Sequence, residues 1–530
     1  MSNSDERYLP HLKDALPKHA HGYMSSGYSI ALEGWRRGLD LKIRVNYFRK
    51  KAKVIEYILG NKEKSHYFQI TRGDLVSKEA VKICINKDLT KKFLIEAGVK
   101  TPQGEVFDGS ADNDEIIKYA EQLGYPLVLK PTDGTGGAGV IANIKNAEEM
   151  QQALQYVRGQ LKNENVIVEK YFQGEDHRLY VVGDEVVGVF KRDPASVTGN
   201  GKDTIQQLLE YKNEERMKIP SLSNKPIKAN SETKELLKRL GYTMKSVPSE
   251  GEVVFLKSKN NVSSGGEAVD VTDETTDEMK QIAVNATKAI PTLIQGGVDM
   301  MIDKKNNDGV VLEVNSRAHI RTHLFPSYGQ ARDIPSAIID YYFPETKDYD
   351  RSEASKLYFD FDHVYESFVK GNSNYIEIPK IPQNIELKRF VLTSKDFPEN
   401  FVDWMQTTAR KYRVSGYVKV ISKTKLSLVL GGNEKNINSF ESLLENKIRR
   451  SKKTIDISRK KRLSPVMQGF NVQELSESAK ENSNNMLKEE NEELKSELLE
   501  LKKKYHRISN SRYMKVRRKL KMLKTSISKK

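Results

Sequence analysis

The sequence predicts a mixed α/β protein with a second, smaller α/β unit behind it and a helical end. Three patterns predict this. From about residue 86, strand-like runs such as "YPLVLK", "NVIVEKYF", "GGVDMMID" and "DGVVLEVN" alternate with helix-period stretches at 146–158 and 275–290. Between about 384 and 465 a shorter α/β pattern recurs. Beyond "QELSESAKENSNN", a polar linker, Leu487, Asn491, Leu494, Leu498, Leu501, Tyr505 and Ile508 recur in alternating steps of four and three.

Residues 1–85 read as a mixed segment, in which "SSGYSIALEGWRRGLDLKI" is a helix followed by a strand. "NKDLTKKFLIEAGVKTP" predicts a helix with Leu89, Phe93 and Leu94 on one side, closed by Gly98. "LYVVGDEVVGVFKR" predicts a hairpin around Gly183-Asp184. "KKNNDG" predicts a second hairpin, joining the strands of "GGVDMMID" and "DGVVLEVN". The pattern breaks near 347 at "ETKDYDRSEASK". The expected organisation is an N-terminal segment (1–85), a main domain (86–346), a linker (347–383), a second domain (384–465), a polar linker (466–485) and a helical tail (486–530).

Composition narrows the class. The chain has 530 residues and one cysteine, Cys84, so no intrachain disulfide framework exists. The beginning, "MSNSDERYLP", lacks the apolar stretch of a secretory signal, and no run approaches the ~18 apolar residues of a membrane span. The expectation is a cytoplasmic protein. Net charge is +16, but residues 502–530 hold 13 Lys and Arg with no Asp or Glu, which leaves +3 for residues 1–501. Basicity therefore belongs to the tail and says little about the body.

The chemistry begins at "LVLKPTDGTGGAGV". A strand ends in Lys130, and glycines follow at 134, 136, 137 and 139. A P-loop needs its lysine after the last glycine, so this is not one. A strand-end ammonium beneath a glycine loop can hold an anion to which backbone N–H groups also donate. The next strand ends in "EKYFQGEDHR", where Glu169, Lys170, Asp176 and Arg178 cluster and a carboxylate can meet a pair of hydroxyls such as a ribose. Asp299 lies on one later strand and Glu313 and Asn315 on the next, two residues apart and so on one face. Oxygen-bearing side chains brought together by that hairpin suit Mg2+ with substrate phosphates.

This ordered set, Lys87 in "NKDLTK", Lys130 before its glycine loop, "EKYFQGED", Asp299 and "EVN", resembles the ATP-grasp superfamily. It looks most like the branch holding cyanophycin synthetase and the bifunctional glutathione synthetases, on account of "GVFKRDPASVTGNGKDTIQQLLE" and "FLKSKNNVSSGGEAVDVTD". The resemblance spans about residues 86–345. It implies an ATP-grasp fold and an ATP-dependent carboxylate–amine ligase, with ATP and Mg2+ (or Mn2+) as cofactors. Lys87 and Lys130 would hold phosphates under a loop of residues 132–139. Glu169, Lys170, Tyr171 and Phe172 would line the adenine pocket, and Asp176 would meet the ribose. Arg192 would steady the γ-phosphate, and Asp299, Glu313 and Asn315 would bind the metal. Arg178, residues 263–266 and Arg317 would face the acceptor carboxylate or its phosphorylated form. Relatives often continue "EVN" into Arg-Pro-Gly before a histidine. Here Arg317 and His323 fit, but Ala318 and His319 stand in place of Pro-Gly, which bears on the acceptor.

Residues about 386–447 resemble an acylphosphatase domain, implying a ferredoxin-like fold. Its glycine loop is replaced by "SKDFPEN", its catalytic arginine by Val402 and its water-orienting asparagine by Val420. Valine can neither hold phosphate nor orient water, so an inactive domain is expected. The heptad seam of 487–508 predicts a coiled coil that makes a homo-oligomer. In 512–530, Tyr513, Val516, Leu520, Leu523 and Ile527 form a stripe among Lys and Arg, suited to an anionic membrane or polymer, and so to a peripheral place at the inner membrane face. Without aromatic interleaving, nucleic acid is the less favoured target. The alternative to a ligase is an ATP-binding scaffold assembled by the coiled coil without turnover.

Overall fold

The computed structural model describes residues 8–48, 51–132, 139–258, 260–262, 265–460, 462 and 464–474. Gly134, Gly136, Gly137, Ser263, Ser264, the expected coiled coil of 487–508 and the basic stripe of 512–530 lie outside the described residues. The chain divides into two units, one of Met1–Leu387, Gly431–Ile437 and Arg462–Gly469, the other of Lys388–Leu430, Asn438–Lys461 and Phe470–Lys530. Among the described residues, no helix is long and apolar enough to cross a membrane.

In the first unit, helix α1 (Met24–Arg36) is buried along most of its length, with Ile30, Leu32 and Trp35 fully enclosed. It leads into β1 (Asp40–Phe48), β2 (Lys51–Gly60), β3 (Ser65–Gln69) and β4 (Arg72–Gly73), antiparallel in that order. The outer edge of β1 pairs with Tyr375–Ile378. The stretch 347–383, expected to be a linker, is therefore structured. It carries the helices Arg351–Ala354 and Phe361–Val369 and the strands Leu357–Tyr358 and Tyr375–Ile378. Its large apolar residues are interleaved with charges, yet Phe359, Phe361 and Phe368 are buried and Phe359 meets Tyr28 and Trp35.

Helices α2 (Lys78–Ile85) and α3 (Lys87–Glu96) follow, capped by Ser77 and Asn86. Leu94 is buried and Phe93 half-buried, but Leu89 is 40% exposed, against expectation. Five residues at about 100° each put Leu89 and Leu94 on different sides of a helix. Next come β5 (Gly104–Phe107), α4 (Asn113–Leu123), β6 (Leu127–Pro131), β7 (Ile141–Ile144), α5 (Ala147–Leu154) and β8 (Val166–Lys170). The strands form an antiparallel sheet ordered β5-β8-β6-β7. Leu127 and Leu129 enter the core with Ile116, Met150, Leu154 and Val168. Alternation along β6 then turns Lys130 to the other face.

The largest sheet is ordered β13-β10-β9-β14-β15. Strands β9 (Glu175–Val182) and β10 (Glu185–Asp193) make the expected hairpin at Gly183. An insertion follows, made of β11 (Ser196–Thr198), α6 (Ile205–Lys218), α7 (Ser231–Arg239) and β12 (Val253–Phe255). It has its own small core of Ile205, Leu209, Leu237 and Leu256. Then come β13 (Glu267–Asp270), α8 (Asp277–Lys288), β14 (Gln295–Asp303) and β15 (Asp308–Asn315). α8 covers one face of the sheet with Met279, Ala283 and Ala286.

The second unit has a β-α-β-β-α-β order: Ile385–Ser394, Phe401–Lys411, Ser415–Ser422, Lys425–Asn433, Glu434–Ser451 and Ile455–Lys460. Its sheet runs Ile455–Lys460, Ile385–Ser394, Lys425–Asn433, Ser415–Ser422, with Phe470–Glu474 added in parallel at the edge. Phe390, Leu392, Phe401, Met405, Leu428 and Phe440 are buried.

Candidate active site

Two groups of charge define the site, both in the first unit. The first lies on the β5-β8-β6-β7 sheet. Glu169, at the end of β8, is 6% exposed. One of its oxygens accepts from Lys130 Nζ at 2.5 Å and the other from Lys91 Nζ at 3.0 Å. Strand pairing brings Lys130 beside Glu169, because β6 and β8 are antiparallel neighbours. Lys91 comes from α3, four residues after Lys87 and so on the same side of that helix. One buried carboxylate thus holds two ammonium groups, one from β6 and one from α3.

The second group lies on β9, β10, β14 and β15. Asp299 is 5% exposed and directly opposite both Glu313 and Arg178 in the sheet. Arg178 grips it in bidentate fashion, Nε and Nη2 each donating at 2.6 Å. Arg192 Nη2 donates to it at 2.8 Å and Arg192 Nη1 donates to Asp176 at 2.7 Å. Asn315 Nδ2 donates to Glu313 Oε1 at 2.9 Å. Gly297 makes room for this packing, since a Cβ there would come within 2.5 Å of the Ala318 methyl, close beside Arg178.

The electrostatics follow from burial and these neighbours. Burial alone would raise the Asp299 carboxyl, but Arg178 and Arg192 outweigh it and hold it well below the usual carboxylate range. Burial, opposed by Arg192 and aided by Asp299, pushes Asp176 up to about 6. Burial and then the Asp299 charge raise Glu313. Burial works against the charge of Arg192, yet Asp299 and Asp176 keep its guanidinium firmly protonated. Asp176, Asp299 and Glu313 thus outnumber the guanidiniums of Arg178 and Arg192 that meet them.

That surplus bears on a metal. Among the described residues, no group of three or more His, Cys, Asp and Glu side chains is spaced to hold one. Asp299 and Glu313 instead offer two carboxylates with the Asn315 amide beside them, and burial and then the Asp299 charge raise Glu313 against the pull of Asn315 and Arg178. A hard cation that takes oxygen ligands and completes its shell with phosphate fits this donor set.

Other expected residues fall as follows. Lys87 opens α3 and is half-buried. Lys170 turns away, its Nζ donating to the carbonyls of Leu123 and Gly124 at the end of α4. Tyr171 and Phe172 are half-buried, and the Tyr171 N–H donates to Pro126 O at 3.0 Å. Gly139 has φ +72°. Asp176, expected near a ribose, shares Arg192 with Asp299. Arg317 Nη1 donates to Gln69 Oε1. Sequence reasoning missed Lys91, although its spacing of four from Lys87 was a usable signal. It also missed Arg72 on β4, whose Nη2 donates to the same Gln69 oxygen at 3.0 Å. No local pattern marks Arg72.

Residues 84–201 match the model of the RimK-like ATP-grasp domain. Over a longer stretch the chain is similar to cyanophycin synthetase of Trichormus variabilis, 36% identical over 282 residues, covering 52% of this chain and 31% of that one. It is also similar to the glutathione biosynthesis bifunctional protein of Clostridium perfringens, 30% identical over 327 residues, covering 59% of this chain and 40% of that one. The match thus spans well under half the length of these curated relatives. Among solved structures, a bifunctional glutathione synthetase from Pasteurella multocida is similar over 55% of this chain and 40% of that one, with 28% identity and a TM-score of 0.45.

Proposed function

We propose that this protein is an ATP-dependent carboxylate–amine ligase that works through an acyl phosphate. The carrying observation is the buried Asp299, with Glu313 and the half-buried Asp176 beside it, laced by Arg178 and Arg192, since such fixed charge serves phosphoryl transfer. The name of one curated relative, cyanophycin synthetase, agrees with this reading.

The roles follow from the charges. Lys130 and Lys87 hold the ATP phosphates, with Gly134, Gly136, Gly137 and Gly139 in the loop above them, and Lys91 keeps Glu169 balanced when Lys130 turns to phosphate. Glu169, Lys170, Tyr171 and Phe172 line the adenine side through side chain or backbone. Asp299, Glu313 and Asn315 hold Mg2+ or Mn2+, which when bound neutralises phosphate charge. Arg192 steadies the γ-phosphoryl group. A carboxylate oxygen of the acceptor, oriented by Arg178, attacks that phosphorus as ADP leaves. An amine then attacks the acyl carbon, its proton passes to solvent, and inorganic phosphate leaves. Excluding water matters because the acyl phosphate hydrolyses readily.

The second unit is read as an acylphosphatase-type fold without catalysis, since Val402 and Val420 stand where the arginine and asparagine are needed. By sequence pattern, residues 487–508 join copies of the chain and residues 512–530 meet an anionic membrane or polymer.

The test supplies ATP, Mg2+ and pools of carboxylates and amines to the full chain and measures ADP release. Release that needs both pools is expected, with hydroxamate formed when hydroxylamine replaces the amine. Asp299→Asn should abolish both signals. Release indifferent to carboxylate, or none with any pair, sinks the proposal.

A further inference from the structure

Two guanidiniums beside the site lack a carboxylate partner. Arg72 Nη2 and Arg317 Nη1 both donate to one neutral oxygen, Gln69 Oε1. Among the described residues, no carboxylate pairs with either. Burial first, and then the like charge of Arg317, weaken the hold of Arg72 on its proton. Two cations, Arg72 half-buried and Arg317 exposed, thus converge on one amide oxygen, and an arriving anion would meet both.

The pair belongs to the site by connection. Arg317 lies two residues beyond Asn315, at the end of β15. Thr71 Oγ1 donates to Ala318 O at 2.9 Å, and Gln295 Nε2, at the start of β14, donates to Thr71 O. The Ala318 methyl packs over Gly297, close to Arg178. Arg178 bonds Asp299 and, in the ligase reading, serves the carboxylate being activated. His319 cannot supply charge either. Burial, followed by the fields of Arg321, Arg178 and Arg317, pushes it down to about 4, so its ring is neutral at physiological pH. Arg72 and Arg317 are cations of this corner that meet no carboxylate among the described residues.

We propose that Arg72 and Arg317 form a clamp for a substrate carboxylate other than the one being activated, which takes over from the Gln69 amide oxygen. The proposal rests on the ligase reading of the same site. Two planar forks aimed at one point match a planar two-oxygen anion. The carboxylate has two possible sources: the α-carboxylate of an amino acid that serves as the amine, or a second carboxylate of the acceptor. In either case the N-terminal sheet, through β4, takes part in choosing the substrate.

The experiment uses the full chain with Mg2+ and a non-hydrolysable ATP analogue, and reads ligand-induced thermal shift and equilibrium binding. One arm compares the standard L-amino acids with their C-terminal amides, and the other compares linear dicarboxylates with their monoesters. The expected result is a shift in one arm that disappears when the carboxylate is masked. Arg72→Met then weakens that binding by ~10-fold or more and leaves nucleotide binding unchanged, and Arg72→Lys restores part of it. Without ligand, Arg72→Met keeps or raises the melting temperature, because a like-charge contact is removed. Four results overturn the clamp: no carboxylate-dependent shift in either arm, equal binding of the masked analogues, inorganic phosphate competing as strongly as the carboxylate, or Arg72→Met that lowers the melting temperature yet keeps the full shift. Loss of the clamp with ADP release intact leaves ligation standing. Clamp binding without ADP release from any pair removes ligation alone.

Discussion

His323 gives a stability prediction with a definite sign. It sits in the short helix Arg321–Leu324, 2% exposed, between the rings of Tyr180 and Phe190. Neither ring nitrogen has a hydrogen-bond partner among the described residues. The charges that face it are Arg178 of β9, Arg192 of β10 and Arg332, all positive. Burial, and then these arginines, push it from 6.5 down to about 3. The folded protein therefore keeps the ring neutral while the unfolded chain takes up a proton below ~6.5. The unfolded state binds more protons in that window, so stability falls as pH falls, by up to ~1.4 kcal/mol per pH unit. Between about pH 7.5 and about pH 5 the loss from this one residue is ~2 kcal/mol. His323→Phe keeps a ring among rings and removes the titration. The assay is urea unfolding followed by Trp35, which is buried in the first unit, in a Trp404→Phe background so that the second unit is silent. Wild type should lose ~2 kcal/mol more than His323→Phe over that pH interval. Equal losses would refute the reasoning, because every other titrating group is common to both proteins.

Two further outcomes are expected. Lys91→Met should weaken ATP binding ~10-fold, or ~1.4 kcal/mol, because Glu169 then keeps Lys130 for itself; unchanged affinity in a fluorescent-nucleotide titration would count against a shared carboxylate. The full chain should not hydrolyse benzoyl phosphate beyond the rate of buffer. Turnover that disappears with one substitution in the second unit would show that Val402 and Val420 do not decide the matter.

The residues borne on strands were readable because strand geometry is local. Alternation along "LVLK" turns Lys130 away from the core that takes Leu127 and Leu129. "EVN" sets Glu313 and Asn315 on one face, and the short connection before it brings Asp299 opposite Glu313. Leu89 went wrong for a local reason too, since its angle to Leu94 puts it outside the buried stripe. The region 347–383 went wrong for a long-range one: Phe359 stands beside acidic residues in sequence and becomes core only when Tyr28 and Trp35 of α1 meet it.

By itself, then, the sequence determined which strands carry Lys130, Asp299, Glu313 and Asn315, and that Glu313 and Asn315 share a face, because periods of two and tight hairpins fix a side chain's face within a few residues. Tertiary structure alone decided that Lys91 shares Glu169, that Asp176 and Asp299 share Arg192, and that Arg72 meets Arg317 across 245 positions of chain. Those meetings depend on how separate sheets and helices close on one another, and no local spacing records them.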